Sequence, residues 1–221
     1  MIRIVQLPRQ WLEALGAWRA LVAVVTVVAF AWLGPQLASS ADHPLDQAVL
    51  DRIHLAVPLP FGQLLTAVYQ LSGVHFTPVL LLSVLIFLAL KRFWADLVCL
   101  VVATGGILVI VDRWLKPLFD RARPAGSLVE LSGNSFPSGH AAGAVVFYFL
   151  SCCLLSAHYP RWRTPLFVIS SVWVALVWLS TLYVRAHWLT DLLGGAAVGY
   201  VWLSFCLAGF AVWERQSRLP T

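Results

Sequence analysis

Leu97-Val-Cys-Leu-Val-Val-Ala-Thr-Gly-Gly-Ile-Leu-Val-Ile-Val111 carries no charge, and the chain then passes through Asp112-Arg113-Trp114-Leu115 into Lys116-Pro-Leu-Phe-Asp-Arg121-Ala-Arg123-Pro124. A continuous apolar stretch of about 20 residues is long enough to cross the hydrocarbon core of a bilayer as a helix. Its backbone polar groups then pair within the segment, as a lipid solvent demands. Similar runs lie near Trp18–Leu37, Phe76–Leu90, Ala141–Ala157, Leu166–Val184 and Leu192–Trp213. With Leu97–Leu115 they make six.

Composition agrees. Of 221 residues, 60% are hydrophobic and 11% charged, and the mean hydropathy is +0.82. These values lie outside the range of water-soluble domains. The expected fold is all-α: a single domain over residues 1–221, built as a polytopic six-helix transmembrane bundle with short loops. Between the first two spans, Leu45, Val49 and Ile53 recur at helical spacing, which fits an interfacial helix. Pro58 and Pro60 end it, and Phe61–Leu71 forms a second amphipathic segment or a packed loop.

The net charge of +5 does not form the basic stripe of a nucleic-acid binder. Lys91, Arg92, Arg161 and Arg163, with Arg3, Arg9, Arg215 and Arg218 in the tails, carry the positive excess of cytoplasmic loops. The loop after the first span holds Asp42, Asp46 and Asp51 against Arg52. Both termini are therefore expected inside, in the manner of a bacterial inner-membrane protein, with the polar segments that follow facing the periplasm or exterior. Ala38-Ser-Ser-Ala41 resembles a cleavage site, but the run from Ala20 to Leu37 exceeds a signal-peptide core of about 7–15 residues, so the first span is expected to remain. Cys99, Cys152, Cys153 and Cys206 fall within spans as small packing residues, without disulfide or zinc spacing. Trp18, Trp32, Trp94, Trp114, Trp162, Trp188 and Trp213 lie near span ends, where most serve as interfacial anchors. Gly195 and Gly199 suit close helix packing.

Three segments carry chemistry. Charges at a membrane edge are costly and mark function. Lys116, Arg121 and Arg123 combine a point charge with guanidinium forks suited to a tetrahedral oxyanion, although a basic cluster can also simply attract anionic headgroups. In Pro137-Ser138-Gly139-His140, Ser138 fits an N-cap and the helix start behind it an anion site. Gly139 permits close backbone approach, and His140 sits at the rim; the plain alternative is a cap beside an interfacial histidine. His187 and Asp191 are four apart and share a helix side. The carboxylate fixes the tautomer and strengthens the other ring nitrogen as a nucleophile or base, unless the pair is only a structural hydrogen bond.

In this order, Lys116 through Arg123-Pro124, Pro137-Ser-Gly-His140 and His187 through Asp191 resemble the signature of the type-2 phosphatidic acid phosphatase superfamily, the lipid phosphate phosphatases. The motif core is 116–191. The resemblance implies that Lys116, Arg123, Ser138 and Gly139 bind phosphate, with Arg121 in support. His187 would attack phosphorus to form a phosphohistidine, Asp191 would orient it, and His140 would protonate the leaving group and then activate water. The family works without a metal or other cofactor. Where its third motif has Ser-Arg, this chain has Ser180-Thr181. If the backbone stays helical there, Arg185 projects from the same face about 5.4 Å nearer to His187 and takes over phosphate binding.

The expected function is a membrane lipid phosphatase acting on polyprenyl pyrophosphate, phosphatidylglycerol phosphate, phosphatidate or lipid A phosphate at the non-cytoplasmic face. Transfer of the phosphoryl group to a lipid or sugar hydroxyl is the alternative chemistry, and non-catalytic lipid binding is the third reading. Soluble acid phosphatases and vanadium haloperoxidases share related motifs, but the density of spans excludes those forms.

Overall fold

The computed structural model describes residues 7–39 and 43–217. Arg3, Arg218 and part of the Ala38–Ala41 stretch lie outside them. Among the described residues there is no strand. α1 (Leu7–Leu15) is a short amphipathic helix within the N-terminal tail; α2 (Ala17–Ser39) is the first span. α3 (Pro44–Ala56) and α4 (Leu59–Gln70) follow, the latter joined through a π-helical turn at Leu71–His75 to α5 (Phe76–Leu90). α6 (Trp94–Val109) continues through a π-helical turn (Ile110–Leu115) into a last α-helical turn (Lys116–Phe119). α7 (Gly139–His158), α8 (Arg163–Tyr183) and α9 (Leu189–Ser217) complete the chain.

Five helices are long and apolar enough to cross a membrane, and α4 with α5, bent by 47°, make a sixth if they are taken together. The protein is an integral membrane protein. The outward faces support this: Val24, Val28, Leu82, Val102, Leu108, Ile169 and Val172 are each at least half exposed, as lipid-facing side chains should be. α7 lies at the centre against α6, α8 and α9. Its Val146, Phe147 and Leu150 meet Leu100, Ile107 and Val174 in the core. A Cβ on Gly199 would come within 2.8 Å of the Ala142 carbonyl oxygen, and one on Gly195 would overlap the Ser138 carbonyl oxygen. The small pair therefore packs α9 onto α7 within one chain.

Alternation of the spans brings the C-terminal ends of α6 and α8 and the N-terminal ends of α7 and α9 to one end of the bundle. Phe30 of α2 meets Phe119 and Phe136 there, with ring centroids 5.4 and 5.5 Å away. At the other end Trp11 of α1 packs on Phe205 at 4.5 Å, and Gln216 Nε2 donates to Gln10 Oε1 at 3.3 Å. The described ends of the chain thus lie opposite the motif-bearing end.

Three local expectations change. Residues 120–138 form a long irregular connection, longer than the short loops foreseen, because it must deliver Arg121, Arg123 and Ser138 to separate places. It is pinned by Ser135 N donating to Arg121 O (2.8 Å), Asn134 Nδ2 to Lys116 O (3.0 Å) and Leu128 N to Val184 O (3.0 Å). α3 presents Leu45 outward, as an interfacial helix would, but buries Asp46 and Leu50 against the bundle. Trp188, grouped by position with the anchors, is buried; its Nε1 donates to Ala122 O at 3.0 Å.

Candidate active site

α8 ends at Tyr183, and Ala186 N donates back to Thr181 O at 3.0 Å. The chain then crosses residues 184–188 before α9 begins. Arg185, with φ of 55°, makes the left-handed turn that lets the segment reverse, a conformation few non-glycine residues adopt. His187 follows, buried, and Asp191 sits in the first turn of α9. The positive end of that helix favours an ionised carboxylate. Asp191 Oδ2 accepts the Trp188 backbone N–H at 2.9 Å and lies 3.4 Å from His187 Nδ1. With its Nδ1 proton donated to Asp191, His187 keeps the lone pair on Nε2, the atom free to act as a nucleophile.

Arg123 approaches that atom: its Nη1 is 3.4 Å from His187 Nε2. The same Nη1 donates to the Ala186 carbonyl (2.8 Å), Nε to that of Gly133 (2.9 Å) and Nη2 to that of Ser132 (3.1 Å), so the fork is anchored by backbone. Burial is the main influence on the His187 imidazole and holds its pKa below the ordinary histidine value; the hydrogen bond and charge of Asp191 oppose this, while Arg123 and Lys116 add to it.

Ser138 is the N-cap of α7. Its Oγ accepts the Ala141 N–H at 3.3 Å, and its own N–H donates to Asp191 O at 3.0 Å, which locks the starts of α7 and α9 together. The Phe136–Pro137 peptide bond before it is cis. Lys116 reaches the same helix start: its Nζ lies 3.8 Å from where a Cβ on Gly139 would stand, and 2.7 Å from Asp112 Oδ1. The π-helical turn just ahead of Lys116 widens α6 locally, a feature common at functional sites. The His140 ring lies 6.2 Å from that of His187, centroid to centroid, and 5.5 Å from that of Tyr69. A cavity of about 670 Å³ opens beside His140, lined also by Tyr69, Gln70, Gly73, Val129 and Glu130.

Lys116, Arg123, Ser138, Gly139, His140, His187 and Asp191 therefore converge. Arg121 and Arg185 do not join them as the sequence led us to expect. Arg121 is buried behind Asp191: Nη1 donates to Asp191 Oδ1 and to Thr190 Oγ1, both at 2.7 Å, and Nη2 to Asp46 Oδ2 at 2.8 Å. Only a helix continued past Thr181 would bring Arg185 to His187. The helix stops first, and Arg185 Nη2 instead donates to Asp51 Oδ1 at 2.8 Å. Asp46, Tyr69 and Thr190 are contributions that sequence reading missed. Only Thr190 carried a signal, as the neighbour of Asp191; Asp46 looked like one more surface charge.

Among the described residues, no group of three or more His, Cys, Asp or Glu is placed to hold a metal ion. The site can bind an oxyanion with two cations and a helix start, attack it with one imidazole, and exchange a proton through the other.

Residues 80–215 match the model of the PAP2 superfamily. A stretch of 124 residues is 33% identical to phosphatidylglycerophosphatase B of Bacillus subtilis (strain 168), covering 54% of this chain and 60% of that relative's length. The fold is similar to the crystal structure of a transmembrane PAP2 type phosphatidylglycerolphosphate phosphatase from Bacillus subtilis, with a TM-score of 0.77 and 25% identity over 90% of this chain and 98% of that one. Family model and three-dimensional likeness agree over the helices that carry the converging side chains, and the chain belongs to the PAP2 superfamily.

Proposed function

We propose that this protein is a membrane phosphatase that hydrolyses a phosphorylated lipid through a phosphohistidine, with phosphatidylglycerol phosphate as its first candidate substrate. The observation that carries the reading is the His187 imidazole, held at Nδ1 by Asp191 while Nε2 faces the Arg123 guanidinium and the His140 ring stands 6.2 Å away. The names of the two Bacillus subtilis relatives support the choice of lipid.

In the first step Lys116, Arg123 and the Ser138–Gly139 helix start hold the non-bridging oxygens, which gain charge stabilisation in the transition state. His187 Nε2 forms a bond to phosphorus as the bond to the lipid oxygen breaks, and His140 gives its proton to that oxygen, releasing the neutral alcohol. In the second step His140 takes a proton from water, the hydroxide oxygen bonds to phosphorus, and the N–P bond breaks to return His187 and free phosphate. This is covalent catalysis with a general acid and base, and it calls for no metal.

Lys91, Arg92, Arg161, Arg163 and Arg215 sit toward the end opposite the site, a distribution that supports a non-cytoplasmic active site and a bacterial plasma-membrane location with both termini inside. The test is phosphate release by the detergent-purified protein from phosphatidylglycerol phosphate, phosphatidate, polyprenyl pyrophosphate and lipid A phosphate, with EDTA present and no alcohol acceptor added. Release that vanishes in His187→Ala supports the proposal, and the fastest lipid identifies the substrate class. Turnover only with an added acceptor would replace hydrolysis by phosphotransfer, and no turnover with any lipid would overturn both.

A further inference from the structure

Asp46 lies in α3, outside the 80–215 stretch that matches the family model. It is fully buried, as is Asp191, and both carboxylates draw on the single Arg121 guanidinium. Each has three donors. Asp46 accepts Thr190 N–H (3.0 Å), Thr190 Oγ1–H (2.6 Å) and Arg121 Nη2 (2.8 Å). Asp191 accepts Trp188 N–H (2.9 Å), Arg121 Nη1 (2.7 Å) and, at 3.4 Å, His187 Nδ1. Three donors on each carboxylate satisfy both anions, as a buried ionic cluster needs to survive desolvation, while Arg121 Nε is left without a hydrogen-bond partner.

The charges do not cancel. A lone Arg121–Asp191 pair would be neutral, and Asp191 would then have little field left for the imidazole. The second carboxylate shares the guanidinium, so the cluster carries one negative charge in excess, next to a histidine that becomes positive when Nε2 bonds to phosphorus. In a low-dielectric interior such an excess is felt strongly. Resting on the reading of His187 as the nucleophile, we propose that Asp46 is a positioning residue: with Thr190 it holds Arg121 against Asp191 and keeps the far side of His187 net negative.

The groups that face His187 are Asp191 from α9, with Arg121 and Asp46 behind it, Arg123 from the 120–138 connection, Lys116 from the end of α6 and His140 from α7. Of these, Asp46→Asn removes the charge behind Asp191 at a residue that makes no hydrogen bond to His187; its amide nitrogen replaces one acceptor oxygen, so part of the bonding to Thr190 and Arg121 goes with the charge. With that negative charge gone, Arg121 more fully neutralises Asp191, and the protonated form of His187 becomes less favourable.

The experiment is an NMR titration of histidine-labelled full-length protein in detergent micelles, with His187→Ala to assign the resonance. The His187 midpoint in Asp46→Asn should fall by about half a pH unit or more. The double variant Arg121→Gln/Asp46→Asn, which removes one charge of each sign, should return it toward the native value. A folded Asp46→Asn whose midpoint equals the native one overturns the proposal. Should that variant not fold, the comparison of Arg121→Gln with the double variant reads the same charge: the double variant should titrate lower, and equal midpoints overturn the proposal. In parallel, Asp46→Asn should lower kcat for phosphate release by about tenfold or more with KM nearly unchanged. The titration needs no substrate, so a native protein that hydrolyses no lipid would defeat the functional reading while leaving the role of Asp46 decided by the midpoints.

Discussion

Arg123 Nη1 stands 3.4 Å from His187 Nε2, at the ring nitrogen remote from Asp191. The imidazole is thus held between a carboxylate that accepts its Nδ1 hydrogen bond and a guanidinium beside Nε2. A phosphoryl group entering between Arg123 and His187 would meet a donor and a nucleophile at once.

Arg123→Ala should lower kcat/KM for phosphate release by about 10²–10³, the usual cost of removing one preorganised donor to a developing oxyanion. Arg123→Lys should recover little of it, because an ammonium cannot hold the Ser132, Gly133 and Ala186 carbonyls and the phosphate together. Steady-state kinetics at a fixed lipid-to-detergent ratio decide this; near-native turnover in Arg123→Ala would remove it from the site.

The pH profile follows from His187. Burial holds its pKa below the ordinary value, so the neutral form proposed to attack predominates at neutral pH and is lost as the pH falls. The acid limb of kcat/KM, which reports the free enzyme, should have its midpoint below about 6.5. An acid limb centred above 7 would mean that another group controls attack.

Two glycines should behave differently. A Cβ on Gly195 overlaps the Ser138 carbonyl oxygen, so Gly195→Ala should separate α7 from α9 and lower the thermal midpoint by several degrees, as overpacking of about 1–3 kcal/mol does. A Cβ on Gly139 meets nothing closer than 3.8 Å, but Lys116 Nζ is one of those neighbours. Gly139→Ala should therefore keep the native melting curve and lose activity by about tenfold or more, because the added methyl would stand at the helix start proposed to hold phosphate.

Arg185 is bound to Asp51 at the surface. An exposed pair contributes little, so Arg185→Ala should retain kcat and KM within about threefold. A larger fall in kcat would show that the side chain leaves Asp51 for the substrate.

Lys116 and Asp112 offer a contrast at closer range. Their 2.7 Å pair is partly exposed, so Asp112→Asn should change KM by less than about threefold. Lys116→Ala, which deletes a cation beside the start of α7, should raise KM for lipid and the inhibition constant of orthovanadate by about tenfold or more.

Much of the fold was legible as hydropathy. Phe76–Leu90 is a helix with the bounds read from the sequence, and Leu97–Leu115 lies within the longer span Trp94–Phe119. The extra turns are polar or aromatic residues such as Trp94 and Lys116, which continue a helix without adding to an apolar run. α4 was harder to read, since Pro58 and Pro60 mark breaks while Pro at a first helical turn can also start a helix. The converging residues were legible because each stands at a span end, where a charge or histidine is conspicuous against the apolar background.

What sequence by itself determined was the solvent and the reagents. Bilayer burial requires each span to satisfy its own backbone hydrogen bonds, so long apolar runs must be helices, and the ordered segments 116–124, 137–140 and 187–191 name the cations, the cap and the imidazoles. Tertiary structure alone decided which cations face the site. Arg121 and Arg123 are two positions apart on an irregular connection, yet one is buried between Asp46 and Asp191 while the other reaches His187. That division depends on partners 64 to 75 positions away in sequence. Arg185 stands away from the site because α8 ends at Tyr183, and Asp46 reaches Arg121 behind Asp191 because α3 turns that face inward. Local periodicity carries no information on these long-range pairings, which form only when the packed bundle brings the ends of its helices together.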